Sequence, residues 1–499
     1  MYFKKILIVN RGEIALRIIR GARELGIQSV ALYSDADMNS LHVKYADESY
    51  HLSGTAAGET YLNIEKILEI ARISGADAIH PGYGFLSERG HFIEAVERAG
   101  LVFIGPSSRS VEMMGSKTGA RQIMQKHGVP FVPGTTEPVE SIEEATAFAS
   151  GIGYPVLIKA SAGGGGKGMK KVYSSTEMED AFFSAKREAL SAFGDSAVYI
   201  EKFIENPKHI EVQILGDKHG NYVHVFEREC SVQRRHQKII EESPSSVMDQ
   251  DTRRRITATA IQAAKACGYY NAGTIEFLMD ENKNYYFLEM NTRLQVEHPV
   301  TEMISGLDLV KEQIKIAAGE RLSFSQKDLK INGHAVECRV YAEDPDNNFL
   351  PSTGKITFHR LPTGPGVRVD EGIEAGSEVT VYYDPMLSKV IAHGATRETA
   401  IERMKMALSS YSITGVQTNI SVLLWLLNND SFLSGKYSIN LIDKEFLPLV
   451  PGKWKDCLCE DLEDAAAAFA AILRERARNS ANNVRINEVL DDNLWYKDE

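Results

Sequence analysis

Residues 273–302 read GTIEFLMDENKNYYFLEMNTRLQVEHPVTE, a β-hairpin followed by a charged loop. Two runs rich in β-branched and aromatic residues, TIEFLMD and YYFLEMN, flank the polar turn ENKN at 281–284. If the turn closes symmetrically, Met279 opposes Tyr286 and Glu276 opposes Glu289. Strand side chains alternate between faces, so Asn291 shares a face with Glu289, and Glu276 joins them from across the ladder. Two carboxylates ~5 Å apart at an effective dielectric of ~20 repel by roughly 3 kcal/mol. Like charges placed directly opposite also destabilise a sheet. A positive charge is therefore expected between them. Glu276, Glu289 and Asn291 offer oxygens suited to Mg²⁺ or Mn²⁺, completed by phosphate and water. The plainer reading is a solvated acidic face; Leu278 and Phe287, expected on that same face, argue against full exposure.

At 499 residues the chain has length for about three domains. Lys plus Arg number 56 against 68 Asp plus Glu, a net charge of −12. That balance argues against nucleic acid or an anionic membrane as the main partner. No apolar run reaches transmembrane length, and the chain opens directly on the strand KKILIVN, without a signal or transit pattern. Five scattered cysteines fit reduced thiols in a cytoplasmic enzyme. The CxC of Cys457 and Cys459 offers too few ligands for a metal site.

Upstream of the hairpin, residues 4–34 look like a βαβ unit. KKILIVN is a buried strand, and Ile14, Ile18, Ala22 and Leu25 mark one helix face before Gly26. The turn Asn10-Arg11-Gly12-Glu13 lacks a GxGxxG, so a dinucleotide site is not expected. The alternation continues through YLNIEKILEIARIS, ADAIHPG, HFIEAVERA and LVFIGPS, giving a mostly parallel sheet over about 1–115. HPGYGFLSE at 80–88 ends one of those strands, where open α/β sheets place ligands; it also reads as a plain Gly/Pro turn.

Residues 116–204 differ in character. Lys117 opens a helix, the strand YPVLIKA carries Lys159, and Gly163, Gly164, Gly165, Gly166, Lys167 and Gly168 precede the strand MKKVYS. Glycines free backbone N–H groups to wrap phosphate oxygens and let a loop move as a lid. No Ser or Thr follows the lysine and no helix follows the loop, so this is not a P-loop. A flexible hairpin tip is the competing reading. AVYIEKFI offers Glu201, Lys202 and Ile204 as an edge against a purine ring.

Strands HIEVQILGD and YVHVFERE lead to the polar run CSVQRRHQK at 230–238, expected to be a loop, either solvated or anion-handling. A helix over 249–267 precedes the hairpin. Beyond the hairpin, Arg293, Gln295, Glu297 and His298 fall within six residues. A metal-bound triphosphate beside a base and several anion binders points to phosphoryl transfer onto an acid. Past 330, GHAVECRVYAEDP places Arg339 in a strand pattern. Short strands continue to about 394 and helices follow, a third, α+β domain. In TRETAIERMKMALSS, Ile401, Met404 and Leu408 recur at helical spacing behind Thr396 as N-cap, so Lys405 is expected mid-helix. The alanine-rich DLEDAAAAFAAILRERAR predicts a last helix over 460–478, packing on its own domain or on another subunit.

With NRGEIALRIIR, HPGYGFLSE, KASAGGGGKGM, SVQRRHQK, EMNTRLQVEHPVTE and GHAVECR in order, residues 2–446 closely resemble the biotin carboxylases of the ATP-grasp superfamily. The resemblance implies an ATP-grasp fold of mixed α/β and α+β character, with a Rossmann-like (pre-ATP-grasp) domain at 1–115. The ATP-grasp domain is expected at 116–330 with a lid near 131–203, the biotin carboxylase C-terminal domain at 331–446, and a tail at 447–499. It implies that ATP and bicarbonate form carboxyphosphate, whose carboxyl passes to N1′ of biotin on a carrier protein. By motif position Lys117, Lys159, Glu201, Lys202, Ile204, His209, Gln233, His236 and Leu278 would surround ATP, together with Glu276 and Glu289. The glycine loop 163–168 would close over the phosphates. The same two glutamates with Asn291 would hold Mg²⁺ or Mn²⁺. Arg293, Gln295 and Val296 would hold bicarbonate, Glu297 would be the base and Lys238 a partner for carboxyphosphate. Arg339 would stabilise the enolate-like oxygen of biotin. Implied partners are a biotin carboxyl carrier protein and a carboxyltransferase subunit, in an acyl-CoA carboxylase or a two-subunit pyruvate carboxylase, with the chain itself a homodimer. The rivals are an acid–amine ligase on the same core and a catalytically silent, ATP-binding regulatory component.

Overall fold

The computed structural model describes residues 3–160, 169–235, 237–457 and residue 474. The chain forms two compact units, Met1–Glu445 and Phe446–Glu499. The described part of the second unit comprises short turns in which the Phe446 and Trp454 rings lie 5.6 Å apart. The helix expected over 460–478 lies outside the described residues except at Arg474, as does Cys459.

The N-terminal layer is a five-stranded sheet in the order Glu48–His51, Gln28–Tyr33, Lys5–Ile8, Ala78–His80, Val102–Phe103. Its pairings are all parallel. Such sheets are covered on both faces, which is why KILI is apolar without alternation. Ile6 and Ile8 enter one core with Ile14 and Ile18 of the helix Gly12–Glu24; Leu7 and Val9 enter another with Ile67 and Phe92. The first core also takes in Leu215, Ala272, Val310 and Ile314, so this layer is seated on the central sheet through the helix Leu309–Ala317.

The central sheet has eight strands: Tyr285–Asn291, Asn271–Met279, Lys208–Gly216, Tyr222–Arg234, Gln237–Ser243, His334–Tyr341, Met386–Gly394 and Val367–Glu371. All neighbours are antiparallel. Ile240 pairs with Cys338, so the sheet crosses residue 330 without interruption. A separate small sheet, Met169–Val172, Val156–Ala160, Val198–Lys202, carries its own core of Val156, Ile158, Phe182 and Ile200 under the helices Ile142–Ile152 and Met178–Phe193.

Glu276 does face Glu289, but the hairpin around them is not symmetric. Met279 pairs with Tyr285, not Tyr286, because the turn closes between Asp280 and Asn284. A β-bulge between Glu276 and Phe277 restores the expected register. The bulge also turns Phe287 into the core against Phe277, at a ring separation of 6.4 Å, so Phe287 does not share the carboxylates' face. The polar run 230–238 is likewise not a loop. Cys230–Arg234 continues its strand, Arg235 turns with φ of 50°, and Gln237 begins the next strand. Buried Arg234 pairs through its Nη atoms with Glu343 at 3.0 Å and lies over the Phe349 ring, which lets a charged residue occupy a strand interior. Lys405 lies within the helix Arg397–Ser410, whose N-cap Thr396 accepts from the Thr399 N–H.

Candidate active site

Polar residues alternate with apolar ones along Lys208–Gly216: His209, Glu211 and Gln213 face one side, Ile210, Val212 and Ile214 the other. With Lys238, Glu276, Glu289 and Arg339 on nearby strands, the first side forms the floor of a cleft of about 540 Å³. His209, Gln233, Lys238, Glu276, Glu289 and Asn291 line it, and the loop after the hairpin adds Arg293, Gln295, Val296 and Glu297.

Lys238 is the hub. Its Nζ donates to Glu211 at 2.5 Å, Glu276 at 2.8 Å and Glu297 at 2.6 Å. Burial opposes its charge, but the three carboxylates keep the ammonium protonated well above its usual range. Glu276 receives a further bond from Gln295 at 3.2 Å, and its other oxygen lies 3.0 Å from His209 Nε2. Burial alone would push Glu276 up; Lys238 and His209 outweigh it and hold the carboxylate ionised. The same balance holds Glu297 well below the usual range: burial raises it, and Lys238, Arg339 and Arg228 lower it further than burial raises it. Glu289 behaves differently. Loss of solvation and then the neighbouring Glu276 charge push it up.

Arg339 reaches Glu241 at 2.6 Å through Nε and Glu297 at 2.9 Å through Nη2, so one carboxylate joins the two proposed catalytic cations. Arg293 spans Glu88 at 2.8 Å, Gln295 at 2.9 Å and Asn291 at 3.1 Å. Glu88 also accepts from the Thr292 N–H at 2.8 Å, so HPGYGFLSE props the loop that follows the hairpin. Buried His298 sets its Nδ1 2.9 Å from the Gln295 carbonyl, and burial pushes its pKa down, leaving a neutral positioning ring.

Other expected positions stand apart from this cluster. Lys159 pairs with Glu201, and Lys202 donates to the carbonyls of Tyr154 and Gly153, all on the small sheet and its approaches. Ile204 lies just past that sheet's last strand. Leu278 sits across from His209 and Tyr286, one strand pair beyond the cleft wall. Lys117 opens its helix, Lys117–Lys126, as expected. Its side chain, His236 and the glycine loop 163–168 with Lys167 lie outside the described residues.

Several residues went unread. Glu211 and the fully buried Arg228, which bonds Glu211, Gln213 at 2.7 Å and Thr301 at 2.9 Å, form a second charged layer beneath Lys238. The alternation in HIEVQ carried a signal for Glu211; nothing local marked Arg228. Glu241, Leu288, Tyr341 and Asp384 were also missed. Lys389, with no exposed surface, donates to the Val296 carbonyl at 2.8 Å and lies 3.2 Å from Glu13, fixing the loop from behind.

The donor set fits a hard divalent cation. His209, Glu211 and Glu276 bring ligand atoms within 4.8 Å of one another, but Lys238 and Arg228 already neutralise that group. On the open side, the Glu289 carboxylate has no hydrogen-bond partner among the described residues and stands across from Glu276, with Asn291 alongside. Oxygen donors of this kind suit Mg²⁺ or Mn²⁺.

Three family models match successive segments: "Biotin carboxylase, N-terminal domain" over 2–111, "Carbamoyl-phosphate synthase L chain, ATP binding domain" over 116–325, and "Biotin carboxylase C-terminal domain" over 337–444. The chain is 51% identical over 461 residues to a pyruvate carboxylase subunit of Methanothermobacter thermautotrophicus, covering 92% of this chain and 94% of that one. It is 52% identical over 440 residues to biotin carboxylase 2 of Bacillus subtilis, covering 88% and 99%. The biotin carboxylase domain dimer of Hydrogenobacter thermophilus 2-oxoglutarate carboxylase, solved with MgADP and bicarbonate, superposes with a TM-score of 0.81 at 48% identity, covering 90% and 98%.

Proposed function

The chain belongs to the biotin carboxylase family, an ATP-dependent ligase of the ATP-grasp fold, and from that premise we propose which of its residues carry each part of the reaction. The observation that carries the assignment is Lys238 bridging Glu211, Glu276 and Glu297. This single cation joins the proposed metal side of the cleft to the proposed base.

Arg293, Gln295 and the Val296 backbone hold bicarbonate in front of Glu297. One bicarbonate oxygen attacks the γ-phosphorus of ATP, the bond from that phosphorus to ADP breaks, and Glu297 takes the bicarbonate proton. Glu297 is ionised before the substrates arrive, as a base must be, yet Lys238 and Arg339 make it a weak one. As Lys238 turns toward the transferring phosphoryl oxygens its grip on Glu297 loosens and the carboxylate becomes more basic. Glu276, Glu289 and Asn291 would hold a Mg²⁺ or Mn²⁺, which would supply charge to neutralise the phosphate oxygens.

Biotin then enters beside Arg339. Carboxyphosphate breaks between its phosphate oxygen and carboxyl carbon, the freed phosphate takes the ureido N1′ proton, and N1′ bonds to the carboxyl carbon. Because the ureido N–H is a very weak acid, that proton leaves readily only if the resulting oxyanion meets a fixed cation. Arg339 is that cation, aimed by Glu241 and Glu297. We assign the nucleotide to the side lined by His209 and Gln233, with Lys117, Lys159, Glu201, Lys202, Ile204, His236 and Leu278 around it and the glycine loop as its cover. A Rossmann-like domain at 1–115, an ATP-grasp domain at 116–330, a C-terminal domain at 331–446 and a tail at 447–499 serve these roles.

The relatives are carboxylase components, so the partners we further assign are a biotin carboxyl carrier protein and a carboxyltransferase subunit, with a homodimeric state and a cytoplasmic place. No described helix is long and apolar enough to cross a membrane. The test is ADP release by the purified chain with free biotin. Release that needs bicarbonate supports the assignment; release driven by an amine or amino acid instead would make it an acid–amine ligase, and no turnover would make it a silent component.

A further inference from the structure

A second cavity, of about 500 Å³, meets the catalytic cleft at Arg293, Val296, Arg339, Tyr341 and Asp384. Its outer walls come from opposite ends of the chain: Arg11, Tyr83 and Phe85 on one side, Val381, Tyr382 and Tyr383 on the other. With nucleotide in the first opening, this cavity still leads from its outer walls to Arg339. A biotin that arrives on a protein and enters here leaves that protein's surface resting on the rim.

The rim is built as a ledge. Tyr383 is held firmly: its hydroxyl donates to the Thr55 carbonyl at 2.7 Å, the Arg11 guanidinium lies 4.4 Å over its ring, and Tyr61 and Phe85 meet it edge-on. Arg11 is itself fixed by Asp37 at 2.7 Å. The two residues before this anchor point outward. Val381 is 77% exposed, the highest value among the large hydrophobic side chains described, and Tyr382 is 51% exposed. Among the described residues, neither belongs to a hydrophobic core cluster. Aromatic and aliphatic side chains on a pre-formed backbone make contact area at little entropic cost, as interface anchors do.

We propose that the Val381–Tyr382 ledge is the docking surface for the carrier protein that presents biotin, touching the carrier next to its biotinyl-lysine. This rests on the reading of the site as one for carrier-borne biotin. The test compares kcat/KM for free biotin with kcat/KM for a carrier domain bearing lysine-linked biotin, using the full chain. Val381→Asp and, as a milder change, Tyr382→Ala are each expected to lower the carrier-to-free ratio by at least ~10-fold, the scale of losing one interface anchor. Met406→Asp, at an apolar position 65% exposed that lines neither cavity, is expected to leave the ratio unchanged. A parallel loss with both substrates, or an unchanged ratio in both ledge variants, would overturn the proposal. A wild-type chain that carboxylates neither substrate would overturn the underlying functional reading instead.

Discussion

The Lys238 ammonium lies 2.6 Å from the Glu297 carboxylate, and the other oxygen of Glu297 lies 2.9 Å from Arg339. Before any substrate binds, the proposed base is clamped between the cation assigned to phosphoryl chemistry and the cation assigned to biotin. Both half-reactions therefore draw on one carboxylate, and a change at either end reaches the other.

Glu297→Gln removes the proposed base, and Arg339→Ser removes the proposed oxyanion partner. Each is expected to lower biotin carboxylation by at least ~100-fold. ATP binding, measured by calorimetry, is expected to persist, because neither side chain is assigned to the nucleotide. The fold is expected to tolerate Arg339→Ser, since burial already lifts Glu241 to about 7 against the pull of Arg339, and that carboxyl can go neutral. Lost ATP affinity with unchanged turnover would refute the division of roles.

Glu289→Gln takes one charge from a facing pair. Metal-dependent ATP turnover is expected to disappear, while the thermal midpoint of the metal-free protein stays the same or rises. The sign follows from Glu289, whose carboxyl loses solvation and meets the Glu276 charge, so its ionised form is the disfavoured one. Near-normal activity at saturating magnesium would contradict the metal assignment.

Glu242 lies at the buried junction of the central sheet with the segments after it, accepting from His334 at 2.7 Å, Arg397 at 2.6 Å and Tyr437 at 2.5 Å. Burial raises this carboxyl, but His334 and Arg397 bring it down to about 2. A depressed carboxyl stabilises the fold above its ordinary value of 4.5, and that stabilisation fades as pH falls toward about 2. Glu242→Gln is expected to cost about 3 kcal/mol at neutral pH. The gap in urea midpoint from the parent chain is expected to narrow steadily between pH 4.5 and 2. A gap that stays constant would show that packing, not charge, holds this junction.

Lys405 is expected to carry no biotin, although Met404-Lys405-Met406 matches the MKM of an acceptor site. The lysine sits inside the helix Arg397–Ser410, with Nζ 2.9 Å from Glu402, whereas an acceptor lysine must stand on an exposed hairpin tip. Streptavidin blotting and mass spectrometry over this peptide check it; a biotinylated Lys405 would refute the prediction.

Periodicity made the parallel N-terminal layer legible, because KILI and QSVALY bury both faces and the helices between them repeat at 3.6 residues. It also placed Glu276 opposite Glu289, for a reason local pattern could not reveal: a one-residue bulge compensates a turn one residue off symmetry. The same bulge hid the inward turn of Phe287. Arg234 misled because strand interiors rarely hold charge, and Glu343 and Phe349, which make it tolerable, lie more than a hundred residues away. Lys238, Arg228 and Lys389 posed the same difficulty. Their roles come from carboxylates on other strands, and the pairing of distant strands is not written in local composition. Motif resemblance reached Lys238; it did not reach Arg228 or Lys389.

The most direct test of the account follows one oxygen atom. When the chain turns over ATP with ¹⁸O-labelled bicarbonate and biotin, a bicarbonate oxygen bonds to the γ-phosphorus and stays there when the carboxyl group leaves. Each inorganic phosphate released is therefore expected to carry one ¹⁸O, in step with carboxybiotin formed, and Glu297→Gln is expected to abolish both signals together. Phosphate released without label, or at a rate indifferent to bicarbonate, would contradict carboxyphosphate formation in this cleft.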